Sequence, residues 1–347
     1  MDGQGRIALA LDNLPGYHGI SDWLIVGPEA DSLFAFRSNP SPRLWPQARG
    51  FQMVSTLSGY SDSSINFQTY IEGTRHAVDE SIGWRKTPLS AEFDSAGDPA
   101  GGTVVAWIEP PTYSSETDRS VQVKARRYDT TGRRRFEDAL LTTSLESGAS
   151  SSPSGPLAVG TDTQGRTLVL WTEKDAISRR TSTKGRWLEA DGTPLTPVFS
   201  PQIPLPPEHP WGLSRWTLTP LLGGGLALRV LDTWTYAFAS GATQEGPLPA
   251  GLAGRQGQLE RVRGGRAYAL LLPAGPGECG RRVEILAPDA TSCGTLTFGA
   301  ERCQNASLAL GAEGSILQQQ ELAHPVLDAD GYPFNGCTLT WWPGLLR

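Results

Sequence analysis

The chain has 347 residues, with 40 Gly, 27 Pro, 19% charged residues and a net charge of −6. That balance excludes a basic footprint for nucleic acid, and no apolar run is long enough for membrane insertion. No long segment places apolar residues at helical spacing, so the expectation is an all-β chain of many short strands and turns.

The N-terminal stretch MDGQGRIALALD lacks the basic and long apolar regions of a signal peptide. Within it lies the first instance of a recurring pattern, a Gly turn followed by an apolar run: GQGRIALALD at 3–12. A weaker copy is SSINFQTYIEG at 63–73, and GGTVVAWIE at 101–109 is a clear one. The pattern returns as QGRTLVLWTE at 164–173, GGGLALRVLD at 223–232, GGRAYALLLP at 264–273 and AEGSILQQQE at 312–321. An outer hairpin recurs beside it, clearest in ARRYDTTGRRRF at 125–136, GRWLEADGTPLT at 185–196 and HPVLDADGYPFN at 324–335. Degenerate forms are YAFASGATQEG at 236–246 and VEILAPDATSCG at 283–294. The Asp-x-x-Gly shape fits a type I turn followed by a left-handed Gly.

The best-defined unit is 156–201. It reads as PLAVGTD, a turn at Thr163-Gln164-Gly165, RTLVLWTEK, a polar loop, GRWLEA, a turn at Ala190-Asp191-Gly192, and TPLTPVFS. Strong β-formers between Asp/Gly turns make this a four-stranded antiparallel meander. Seven copies over 347 residues give a period of about 50, the size of a propeller blade. The expected fold is therefore a seven-bladed β-propeller of four-stranded blades, six being the alternative count, in a single domain spanning 1–347. The segment CTLTWWPGLLR at 337–347 resembles WTLTPLLGGG at 216–225, so it is expected to close the ring against the strand at 6–11. The rival reading makes TLTWW the fourth strand of the last unit, like GTLTF at 294–298.

The repeats, with VVAW at 104–107 and ARRYDTTG at 125–132, resemble the broad family of degenerate bacterial β-propellers of secreted or cell-surface type. The resemblance is architectural. The chain lacks a clear Ser-x-Asp-x-Gly-x-x-Trp box of sialidase type and the Gly-His and Trp-Asp pairs of tryptophan-aspartate repeats.

Cys279, Cys293, Cys303 and Cys337 all fall in the last 70 residues without a CxxC pair. An even cluster of this kind reads as two disulfides of open connectivity and implies a secreted, periplasmic or cell-surface location, the alternative being buried free thiols. With four His in the chain, no metal site is expected. Asp328, Asp330 and Gly331 resemble the start of a calcium loop, but Leu339 stands where its closing acid belongs, so a plain turn is expected. No cofactor is expected either, since phosphate loops and the hydrolase and zinc-protease motifs are missing.

Because strand direction alternates, the short Asp/Gly turns share one face and the longer loops share the other, where function usually resides. The ligand-binding candidates there are Tyr17, His18, Trp23, Glu109, Tyr113, Arg179, Arg180, His209, Trp211, Asp232 and Trp234. Trp107 and Trp171 at strand ends read as core, and the Pro-rich stretch 201–210 as a stiff connector. Aromatic faces with orienting charges suit a non-catalytic binding module for a glycan or a protein. One alternative is a glycosidase or lyase using carboxylates such as Glu109, Glu116, Asp118 or Asp232. Another is a structural spacer in a surface assembly.

Overall fold

The computed structural model describes residues 6–11, 21–26, 32–38, 43–58, 63–71, 74–85, 92–109, 120–136, 138–145, 151–175, 177–203, 205, 216–262, 264–273, 280–299, 307–311, 314–321, 326–327, 333–334, 337–342 and 344–346. Every regular element among them is a strand. The first sheet orders β1 (Ile7–Leu11), β2 (Ser21–Val26) and β3 (Ser32–Ser38). The second orders β4 (Arg43–Gln47), β5 (Gly50–Ser58), β6 (Ser63–Ile71) and β7 (Thr74–Arg85). The third has β8 (Phe93–Gly97), β9 (Thr103–Glu109), β10 (Ser120–Tyr128) and β11 (Ala139–Leu145). The fourth has β12 (Ser151–Thr161), β13 (Thr167–Asp175) and β14 (Thr181–Leu188). The fifth has β15 (Trp216–Pro220), β16 (Leu226–Val230) and β17 (Thr233–Phe238). The sixth has β18 (Gln258–Val262), β19 (Ala267–Leu272), β20 (Arg281–Leu286) and β21 (Ser292–Phe298). After β22 (Ser307–Leu310) and β23 (Ile316–Glu321) comes a small hairpin of β24 (Val326–Leu327) and β25 (Pro333–Phe334). Then β26 (Cys337–Trp342) pairs beside β23. The larger sheets are antiparallel meanders of three or four strands.

One turn joins these strands repeatedly. The first residue's N–H donates to the fifth carbonyl, and the fourth N–H donates back to the first carbonyl. It closes 98–102, 129–133, 162–166, 189–193, 221–225, 287–291 and 311–315. The fourth residue is left-handed: Gly101, Gly132, Gly165, Gly192, Gly224 and Gly314, with Ala290 as the exception at φ 65. A Gly is needed there because other residues strain in that region. This is the turn that the Asp-x-x-Gly spacing implies.

Contacts divide the chain into two compact units, one of 2–231 with 235–247 and one chiefly of 248–347 with Asp232–Trp234. In the larger unit, period-two alternation sends opposite faces of one strand to different neighbours. Val169 and Trp171 of β13 pack with Val104, Ala106, Ile108 and Leu157. Leu168 and Leu170 pack with Trp216, Leu218, Leu226 and Phe238. Likewise Val105 and Trp107 of β9 face Val54, Ile65 and Phe67. A strand buried on both faces reads as an unbroken apolar run, which is why VVAW and TLVLW carry no polar alternation. Each Val or Leu so buried contributes about 1.5–3 kcal/mol. Trp107 and Trp171 are core, as expected.

First strands of successive sheets also adjoin. Trp45 Nε1 donates to Ser95 Oγ at 2.9 Å, and the Val159 N–H donates to Asp94 Oδ2 at 2.7 Å. At Gly160 a Cβ would lie 2.6 Å from that of Leu218, so β12 and β15 meet there too closely for any side chain.

The smaller unit packs β18–β20 against β22 and β23 through Val262, Ala269, Val283, Phe298, Leu308 and Ile316. Leu346 joins this cluster, and its N–H donates to Gly314 O at 2.8 Å.

Three expectations need correction. Residues 193–200 form no fourth strand beside β14. They make only the bridges Leu188–Pro194 and Gly185–Phe199, because Pro194 and Pro197 have no N–H to donate to a ladder. SSINFQTYIEG is the third strand of its sheet, with Gly50–Ser58 in the second position. The sheet partner of Cys337–Trp342 is Ile316–Glu321, where 6–11 was expected. Pairing with a strand so near in sequence closes a much shorter loop, and Trp342 gains Phe298 at 5.0 Å between ring centroids.

Candidate functional site

The fourth sheet shows how the two ends of a meander differ. Its turns at 162–166 and 189–193 lie at one end, since Arg127 Nη1 reaches both Gly165 O at 2.6 Å and Ala190 O at 3.5 Å. The β13–β14 hairpin loop is at the other.

At the short-turn end of the fourth sheet, polar groups bond to one another and to neighbouring turns. Arg127, with a side chain 7% exposed, also pairs with Asp98, which is 3% exposed, its Nε at 2.7 Å from Oδ2. Asp162 Oδ1 accepts from the N–H groups of Gln164 and Arg166 at 2.8 and 2.9 Å, and its Oδ2 accepts from Ser240. Arg166 donates to Ser240 at 3.2 Å and to Glu189 at 3.4 Å. Gln47 binds both the N–H and the carbonyl of Gly102, and Gln52 bridges Thr103 and Asp129 O. Asp129 accepts from the N–H groups of Thr131 and Arg133 at 2.8 and 3.0 Å. Burial pushes its carboxyl up, but hydrogen bonds from Thr131 and Arg133 outweigh that and leave it below the ordinary range. Asp191 is held low chiefly by the Thr193 hydroxyl, and Asp289 by that of Thr291. These side chains fasten turns to themselves and to neighbouring sheets.

The opposite end differs. β13 runs nine residues against five in β16, and its last turn emerges from the core. The loop is firmly built: the Asp175 N–H donates to Arg180 O at 2.8 Å, and the Arg179 N–H to Asp175 O at 3.0 Å. Asp175 Oδ1 takes the N–H groups of Ser178 and Ile177 at 2.6 and 3.1 Å. The Ser178 N–H is the main cause of its lowered pKa. Arg179 is left-handed at φ 59. On this frame the side chains of Lys174, Arg179 and Arg180 are exposed and have no partner among the described residues, and Ile177 is 86% exposed.

Arg179 and Arg180 are thus the sequence candidates that stand together and free. Glu109 ends β9 and pairs with Lys124, so its carboxylate is occupied. Asp232 follows Leu231 in the β16–β17 turn and is exposed. Trp234 is not a surface aromatic: it is 1% exposed, with Nε1 donating to Gly257 O at 3.1 Å and its backbone paired to Arg255 and Gly254. It faces inward because the 251–257 turn folds over it. Trp23 sits on β2 opposite Ala10 and Phe36. Tyr17, His18, Tyr113, Glu116, Asp118, His209 and Trp211 lie outside the described residues, as do Cys279, Cys303 and Asp328 to Gly331. Cys293 on β21 is an exposed free thiol, so the expectation of two disulfides among the four cysteines is corrected: no more than one can form without it.

Ile177 was missed by sequence reasoning. Its signal was the one large apolar residue in the run KDAISRR. Arg127 was missed too, since nothing local distinguishes it from Arg126.

At this level the protein is an all-β assembly of small antiparallel meanders, whose β13–β14 hairpin carries exposed cations without a partner among the described residues. No protein-family model and no curated protein matches the chain. Solved structures similar to it include the β-propeller domain of the Trilobed protease from Pyrococcus furiosus, at 10% identity, covering 98% of this chain and 95% of that one, with a TM-score of 0.49. An endo-arabinase from Bacteroides thetaiotaomicron is similar at 12% identity over 70% and 88%, with a TM-score of 0.33. A eukaryotic initiation factor is similar at 13% identity over 94% and 74%, with a TM-score of 0.37.

Proposed function

We propose that the chain is a β-propeller of about seven blades that acts as a non-catalytic extracytoplasmic binding module. In this reading a glycan or protein partner is held at the long-loop end. The supporting observation is the contrast within the fourth sheet: Asp162, Arg166 and Glu189 at the turn end are paired, whereas Lys174, Arg179 and Arg180 are exposed on the same hairpin as the exposed Ile177. A preorganised loop loses little entropy on binding, and arginines are frequent anchors of interfaces. The propeller arrangement draws support from cores shared by successive sheets and from adjoining first strands.

The test is a glycan and protein array probed with the wild type, followed by two variants. Lys174→Ala with Arg179→Ala and Arg180→Ala is expected to abolish binding to any hit, and Asp191→Ala at the turn end is expected to leave it intact. The reverse outcome places the function at the other end and ends this reading. Location outside the cytoplasm rests on a disulfide among Cys279, Cys303 and Cys337, since Cys293 is free, and four titratable thiols in unreduced, denatured protein would remove it.

A further inference from the structure

The side chains of Ile177, Lys174, Arg179 and Arg180 contribute no described contact to the fold, yet the loop that presents them is braced by four hydrogen bonds to Asp175 or its backbone. Folding does not require an aliphatic side chain at 86% exposure, and a turn needs only the bracing. Three exposed cations without a partner among the described residues lie within three residues of it in the chain, while the only carboxylate in the loop, Asp175, is engaged by N–H groups. The chain as a whole carries −6, so this tip is a local inversion of sign. It would draw an acidic partner toward this tip.

We propose that the Lys174–Arg180 tip docks an acidic, flexible segment of another protein, whose carboxylates pair with the three cations while an apolar side chain covers Ile177. This rests on the binding-module reading and specifies its partner. A protruding tip is matched by a chain that can wrap around it, and disordered acidic segments do so. A sulfated or uronic glycan satisfies the cations but offers nothing to Ile177. A bilayer would receive only one aliphatic side chain. Arginine adds geometry, since its planar fork binds a carboxylate through two parallel hydrogen bonds.

The experiment measures fluorescence anisotropy of a short labelled peptide in which glutamates flank a central pair of leucines. Its glutamine counterpart, a heparin oligosaccharide and phosphatidylserine vesicles serve as competing probes. The glutamate peptide is expected to bind and the glutamine peptide not. Binding should weaken roughly tenfold or more for Arg179→Glu with Arg180→Glu, and by several-fold for Ile177→Ser, with unchanged circular dichroism and melting. Rising salt should weaken it as well. If the glutamate peptide fails to bind, or binds regardless of these substitutions, the inference is overturned. Heparin or vesicles bound through the tip without competition from the peptide overturn it too, yet leave the binding-module reading standing. An array ligand indifferent to every tip substitution sinks that reading itself.

Discussion

At one end of the fourth sheet, Arg127 and Arg166 lie among turns, and their guanidinium groups meet Asp98, Glu189, Ser240 and the carbonyls of Gly165 and Ala190. At the other end of the same sheet, the guanidinium groups of Arg179 and Arg180 have no partner among the described residues. The residue type is the same and the hairpins are close relatives. What differs is depth: the turn end is crowded by neighbouring sheets, whereas β13 and β14 carry the far loop beyond the core. An arginine near a turn is therefore a tie when a second turn lies within its reach, and a free handle when none does.

The largest test of that contrast is Arg127→Ala. It leaves the nearly inaccessible Asp98 carboxylate without its counter-charge, and a loss of about 3–5 kcal/mol is expected in urea denaturation. A loss near zero would mean that the turn end is not held by this tie. Next comes Gly102→Ala. Its φ is 104, and a Cβ would lie 2.2 Å from Tyr128 O, so the backbone itself must shift. About 1–3 kcal/mol should be lost, with a lower melting temperature.

A smaller effect is expected from pH. Folded-state carboxyl pKa values below the ordinary range, as at Asp129, Asp191 and Asp289, contribute stability that is present above the unfolded value of about 4. That contribution is lost as pH falls through the lower folded values. Stability from these groups should be flat above about pH 5 and decline below about 4; a decline beginning near neutrality would point to other groups. The smallest effect belongs to Arg179→Ala with Arg180→Ala, expected to change stability by less than about 0.5 kcal/mol. A substantial loss there would erase the distinction between the two ends.

Much of the fold is legible in the order of residues alone. QGRTLVLWTE gives β13 because two buried faces demand apolar residues at every position, and Asp-x-x-Gly gives the turns because the left-handed position selects Gly. What escapes is whatever depends on distant partners. TPLTPVFS has strand composition, but Pro194 and Pro197 interrupt its hydrogen bonding, and only the ladder reveals that. Trp234 reads as a loop aromatic because its cover, the 251–257 turn, comes well after it in sequence. Arg179 and Arg180 are legible as loop charges. Their lack of a partner among the described residues is not, because that is a property of everything around them.

The five-residue turn has a further consequence for how the chain folds. Each copy closes on its own backbone, and at 129–133, 162–166, 189–193 and 287–291 on its own Asp as well, with no other sheet required. Hairpins of this kind form on the microsecond scale from contacts close in sequence. Ties such as Arg127 to Ala190 span 63 residues and must wait until two meanders already exist. The slow step is then the docking of preformed sheets, so substitutions in the ties should speed unfolding, whereas substitutions in the turns should slow folding.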